Sequence, residues 1–419
     1  MKIFFIGYTD AGIHEPRGTK IASSLSRMGH EIVWLYCEGN GSAKIPGVTL
    51  RKIVVPKIPF RLREMAFAFK AAKWIAENKE NFEVGIGFSH IGGLACYAAF
   101  RKTGLPFVFD YPDPLYPSDE AYASFYSRSD KWLARVFEEV ESKALNSASA
   151  VAAISPYFRS FVHEKYGVPL GKIFVAPNAP DCSAFKPSSR KYKVFTIAYS
   201  GKGIPEYGLD WLLQCFAKCK GKARLLLVVK TEPSWRKWLF GEVERLGLAG
   251  KVEIVENVPP ETVARLLSKA HAAAFPYPRG KINDYAAPNK FFEYLALGLP
   301  VISRETPESK RILTEGKCGF IASDARGFCN AVESLSKNRL LEKRTGANAR
   351  KLALEKYDWK RISREYEKKL GQAIFSEGFS KTPSQPKTGL KPRTASGRKA
   401  FPRTPRSRPR PAGRSRKRK

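Results

Sequence analysis

A chain of 419 residues, 43% hydrophobic and 27% charged, is ordinary in composition and long enough for two domains with separate cores. Its formal charge of +34 is not ordinary: fifteen of the 73 basic residues follow position 380, where no acidic residue occurs, and the rest of the chain is still basic. No run of about 18 apolar residues occurs, which excludes a membrane-spanning helix, and seven scattered cysteines without a Cys-x-x-Cys pair point to a reduced, cytosolic chain.

Lys2 to Gly7 reads as a buried strand, its apolar run too short for a secretion signal. The loop Tyr8–Gly18, a helix ending near Gly29-His30 and a strand Glu31–Leu35 complete a βαβ unit, with glycines spaced wrongly for a dinucleotide fingerprint. Lys57 to Lys79 reads as an amphipathic helix with Leu62, Met65, Phe69, Ala72 and Ala76 on one stripe and Arg61, Arg63, Lys70 and Lys73 around it. Such a helix either packs on a sheet or meets an anionic membrane surface.

A strand at Phe82–Gly87 leads to a helix opening at Ser89. The strand from Pro106 then runs through Asp110 into a rigid, acidic loop with Asp113, at the carboxyl end of a strand where α/β sheets place their sites. Each aspartate reads equally as a loop cap. A long helix from about Asp119 to Asn146, a strand Ala150–Ile154, a helix start at Ser155-Pro156 and a short strand and turn at Lys172–Asn178 follow.

After a polar linker, a strand Val194–Tyr199 runs into Ser200–Gly208, where Gly201 allows close backbone approach to a diphosphate and Lys202 adds a point charge. Further strands are expected at Arg224–Val229, ahead of Lys230, at Lys251–Val255, ahead of Val258, and at Ala272–Phe275, ahead of a basic, aromatic loop. Ala287 to Ile302 starts a helix with Pro288, whose missing N–H costs nothing there, and ends it at Gly298. The free N–H groups near Asn289 and Lys290 suit an anion, and Glu293 lies one turn in, placed to accept sugar hydroxyls. From Phe379 the composition turns to Pro, Ser, Thr, Arg and Lys, which predicts a disordered tail able to bind RNA or an anionic membrane without sequence preference.

The string Pro288-Asn289-Lys290-Phe291-Phe292-Glu293-Tyr294-Leu295-Ala296-Leu297-Gly298-Leu299-Pro300-Val301 resembles the donor-site motif of glycosyltransferase family 4. Gly29-His30-Glu31-Ile32 and the segment Lys172–Asn178 are similar to two further stretches of that family. The resemblance implies an α/β GT-B fold, two doubly wound Rossmann-like domains facing a cleft. They would be an acceptor domain at 1–185, a linker at 186–193, a donor domain at 194–355, a helix crossing back at 356–378 and a disordered basic tail at 379–419.

It implies a retaining transfer from a nucleotide-sugar donor to a lipid-linked, polysaccharide or protein acceptor, without metal or cofactor, in the cytoplasm or peripherally at the inner membrane face. Gly12, Gly201, Lys202, Lys230, Val258, Pro288, Asn289, Lys290 and Glu293 would meet the donor. Asp110 and Asp113 would face the reaction centre, Asp113 being the better general base. Two positions depart from the family pattern: Tyr285 stands where the first motif glutamate belongs and Tyr207 where a diphosphate-clamping lysine belongs, so that Lys230 or Lys290 would supply the charge. These departures keep open a second reading, a weakened scaffold that binds nucleic acid or membrane through its tail.

Overall fold

The computed structural model describes residues 1–9, 16–39, 44–58, 60–113 and 128–376. Gly12, the start of the helix expected from Asp119 and the tail after 379 lie outside the described residues.

The first half alternates strands β1 (Lys2–Ile6), β2 (Glu31–Tyr36), β3 (Val48–Lys52), β4 (Val84–Phe88), β5 (Phe107–Tyr111), β6 (Ala150–Ala153) and β7 (Ile173–Val175) with helices α1 (Pro16–Arg27), α2 (Phe60–Glu77), α3 (Ser89–Thr103), α4 (Arg128–Ser147) and α5 (Pro156–Tyr166). The strands form one parallel sheet in the order β3-β2-β1-β4-β5-β6-β7. Runs such as Ile3–Ile6 and Val84–Phe88 are buried throughout, because helices cover both faces of a parallel sheet. Gly92 lets α3 lie directly on it: a Cβ there would stand 2.1 Å from the Ile6 carbonyl oxygen.

The second half contains β8 (Thr196–Lys202), α6 (Leu209–Lys218), β9 (Arg224–Lys230), α7 (Pro233–Arg245), β10 (Val252–Glu256), α8 (Pro260–Leu267), β11 (Ala272–Phe275), the short α9 (Lys281–Tyr285), α10 (Asn289–Ala296), β12 (Val301–Ser303), α11 (Pro307–Gly316), β13 (Gly319–Ile321), α12 (Ala325–Lys337) and α13 (Arg339–Lys356). Its parallel sheet runs β10-β9-β8-β11-β12-β13. A last helix, α14 (Trp359–Ser376), returns to the first sheet, where Trp359 Nε1 donates to Ser24 Oγ at 2.8 Å, Glu367 bonds His30 at 2.9 Å and Tyr366 packs edge-on against Phe174.

Three expectations are corrected, and one strand is added to those expected. Val48–Lys52 is a strand, the outermost of its sheet, whose half-exposed pattern carries little apolar signal. Ser200 to Lys202 belong to β8 rather than to the loop after it. In α2 the buried face is Glu64, Phe67, Ala68, Ala71, Ala72 and Ile75, packed against α3, while Leu62 and Phe69 of the expected stripe are more than half exposed. The chain is not fully reduced: Cys219, at the end of α6, is bonded to Cys329 of α12 across a Cα separation of 5.0 Å. The two helices pack side by side, but 110 residues separate the cysteines in sequence.

Closing so long a loop restricts the unfolded chain and stabilises the second sheet by about 4–5 kcal/mol in the entropic treatment. The unfolded, unreduced protein is therefore expected to titrate five thiols and the reduced protein seven. Cys329→Ser is expected to lower the urea midpoint of the oxidised protein and to leave the reduced protein almost unchanged.

Candidate active site

The carboxyl ends of β8 and β9 carry Gly201, Lys202 and Lys230, three of the residues expected to meet a donor. Lys202 and Lys230 are register partners on β8 and β9, both exposed, and the Gly203 N–H donates to the Lys230 carbonyl at 3.0 Å. The Lys202 ammonium stands 5.5 Å from the centre of the Tyr207 ring, which in turn meets Tyr277 edge-on. Tyr207 thus gives a platform to Lys202 where a second cation was expected. The loop closes at Gly208, where φ is +78° and a Cβ would stand 2.0 Å from the Pro276 carbonyl oxygen, so no side chain fits.

At the adjacent turn Asn257 has φ +51°, bonds the Val229 carbonyl through its N–H and accepts the Thr231 N–H on its side chain. That ties the ends of β9 and β10 together and leaves Val258 half-buried beside them.

Opposite these turns α10 begins. Pro288 is its N-cap, and no side chain caps this end, so the first N–H groups at Asn289 and Lys290 point out of the helix with its positive pole. Lys290 reaches back to Glu293 at 3.0 Å, holding that half-buried carboxylate at the same end. Tyr294 fixes the helix in place. Its buried hydroxyl accepts the Ser200 N–H at 2.8 Å and lies 3.2 Å from the Ser200 carbonyl, joining α10 to the end of β8. Nothing in the local sequence signals this bond, since its partner lies 94 residues away.

The first sheet contributes a different set. Arg17, on the first turn of α1 and absent from the sequence reading, is buried and grips both oxygens of Asp110 at 2.8 and 2.9 Å while donating to Asn178 Oδ1 at 3.0 Å. Burial alone would lower the pKa of this guanidinium, and the Asp110 carboxylate more than offsets it. Asp110 is fully enclosed, with both oxygens occupied, which removes it as an acceptor-facing base and makes it the anchor of Arg17.

Asp113, two residues past β5, keeps an exposed edge although much protein surrounds it. Crowding by the surrounding protein raises its carboxyl, while Arg17 and His90 pull the other way. His90 opens α3 beside Ser89, whose φ of +59° is strained for a residue with a side chain. The buried His90 Nε2 makes no hydrogen bond among the described residues and lies 3.8 Å from the enclosed Glu64.

Tyr285 does not line the donor side. Its ring packs on Phe161 of α5 at 4.8 Å, and its carbonyl accepts the Ser155 hydroxyl at 2.6 Å, so α9 is docked onto the first sheet's layer. A depression of about 1000 Å³ edged by Lys193, Lys220, Lys222 and Arg326 lies at the opposite ends of β8 and β9, away from these groups. Among the described residues no three His, Cys, Asp or Glu side chains gather as a metal site, and no helix is long and apolar enough to cross a membrane.

Residues 19–184 match the family model described as Glycosyltransferase Family 4, and residues 183–352 match Glycosyl transferases group 1. A curated relative, a probable sucrose-phosphate synthase of Thermosipho melanesiensis, is 24% identical over 290 residues; the match covers 66% of this chain and 66% of that protein, just under two thirds of its length. Among solved structures, HepE of Anabaena in complex with UDP superposes with a TM-score of 0.67 at 18% identity, over 89% of this chain and 100% of that one. The sucrose-phosphate synthase of Thermosynechococcus elongatus gives 0.68 at 17%, over 90% and 99%. At these identities the structural likeness shows the fold.

Removing one partner of a buried pair strands the other, at a cost of about 3–5 kcal/mol. Asp110→Asn is therefore expected to lose stability on that scale in urea melts, whereas Asp113→Asn stays within about 0.5 kcal/mol, as exposed positions do. Tyr294→Phe, which leaves the Ser200 N–H unpaired, is expected to cost about 1–3 kcal/mol in the same assay.

Proposed function

The chain belongs to the GT-B glycosyltransferases, a Family 4 segment followed by a group 1 segment, and from that premise we propose that it transfers a sugar from a nucleoside diphosphate sugar to an acceptor hydroxyl with retention at the anomeric carbon. The observation that carries the donor reading is the uncapped start of α10, with Lys290 and Glu293 on its first turns, held against the Lys202 turn by the Tyr294–Ser200 bonds. Helix N–H groups and the lysines take the diphosphate, and Glu293 exchanges Lys290 for hydroxyls of the donor. Val258, on the turn past β10, passes the base by backbone contact.

Uridine is the first base to try, because HepE of Anabaena was solved with UDP and with UDP-glucose. Asp113 accepts the proton of the acceptor hydroxyl, and the positive groups stabilise the departing diphosphate without a metal. The acceptor is a lipid-linked sugar, a polysaccharide or a protein. The alternative, a scaffold that binds nucleic acid or membrane through its tail, rests on the basic composition of residues outside those described.

The test is binding of UDP-, GDP- and ADP-sugars to the full chain, then to variants. One donor is expected to bind selectively, with Glu293→Ala and Lys202→Ala each weakening it roughly 10–100-fold. No binding by the wild-type chain would sink the donor reading. Because the Asp113 carboxyl is raised and acts ionised, transfer is expected to hold above that raised pKa and to fall as pH drops through it. Asp113→Asn is expected to remove that acid limb and to lower kcat by about 10²–10⁴.

A further inference from the structure

Lys20 lies one turn after Arg17, on the same side of α1. Its half-buried ammonium makes one hydrogen bond, to the Ala179 carbonyl at 3.2 Å, and stands 5.8 Å from the centre of the Trp359 ring. An ammonium has three N–H donors, so two have no hydrogen-bond partner among the described residues. The charges it feels most strongly across the cleft are those of Glu293 and Lys290 on α10, with Arg17 and Asp181 from its own side. Glu293 is already paired to Lys290, and no carboxylate among the described residues forms an ion pair with Lys20. Burial consequently lowers its pKa from the usual lysine value.

A half-buried ammonium with two donors unspent on protein groups, close enough to Glu293 and Lys290 to feel their charges, is placed to take an anion that arrives at the start of α10. The second sheet is also one cation short at Tyr207. Resting on the donor reading above, we propose that Lys20 reaches across from the first sheet to bind the donor diphosphate at the start of α10, supplying the charge that Tyr207 does not. During transfer the bond between the anomeric carbon and the diphosphate oxygen breaks, with its electron pair going to that oxygen. The acceptor oxygen forms the new bond and gives its proton to Asp113. Lys20 meets the charge that appears on the leaving oxygen.

The experiment is isothermal titration of the full chain with UDP, UMP and inorganic pyrophosphate, for wild type, Lys20→Gln and Lys20→Arg, with melting temperatures recorded beside it. Glutamine keeps an N–H donor for Ala179 and removes the charge; Lys20→Met replaces it if the glutamine variant does not fold. Lys20→Gln is expected to weaken UDP and pyrophosphate by roughly 10–100-fold, to leave UMP nearly unchanged, and to be largely rescued by Lys20→Arg. Equal affinities for UDP and pyrophosphate in wild type and Lys20→Gln would overturn the proposal. So would a parallel loss for UMP with a lowered melting temperature, which marks a strut to Ala179. A wild-type chain that binds none of the three probes overturns the donor reading itself, a result distinct from either.

Discussion

The enclosed pair of Arg17 and Asp110 is the constraint on which the cleft side of the first sheet depends. A guanidinium taken out of water is tolerable only when its donors are filled, and here Asp110 fills two and Asn178 a third. Three points far apart in sequence, the start of α1, the end of β5 and the turn after β7, are thereby held to one another at the mouth of the sheet. The direction of α1 follows from this, and with it the position of Lys20.

The second sheet solves the matching problem with neutral groups. Two bonds between Tyr294 and Ser200 set α10 against the end of β8, and Gly208 lets the intervening loop close onto Pro276 without a side chain. Rigid neutral scaffolding leaves the ionic groups of the cleft free of structural duty. Lys202 and Lys230 remain exposed, and among the described residues Lys290 is engaged only by the carboxylate beside it. The frame that carries these charges is thereby fixed before an anion arrives, while the lysine side chains at its edge turn onto it on binding.

The local parts of this arrangement were legible in the sequence. Pro288 and Gly298 bracket the helix between them because each is set by its own backbone requirement, and the apolar runs of β1, β4 and β8 announce strands that are covered on both faces. What was not legible depends on distant partners. Asp110 reads as a site residue until Arg17, 93 positions earlier, is seen to occupy it. Leu62 and Phe69 share a plausible stripe, yet the face that meets α3 is the one carrying Glu64 and Phe67, and only the neighbour decides between them. Tyr285 holds a position where an acid was expected, but its ring turns to Phe161, a contact that no local pattern encodes.

The chain passes between the two sheets twice, once before β8 and once at the start of α14. These passages are bonded to each other: Trp359 N–H donates to the Pro180 carbonyl, Cys182 N–H reaches Asp358, and Arg350 of α13 holds the carbonyls of Cys182 and Phe185. Two crossings fastened side by side make one joint, and the Tyr285 contacts with Phe161 and Ser155 tie the halves a second time, away from it. The join between the halves is thus made by backbone carbonyls and a tyrosine, groups whose bonds do not change with pH in the neutral range.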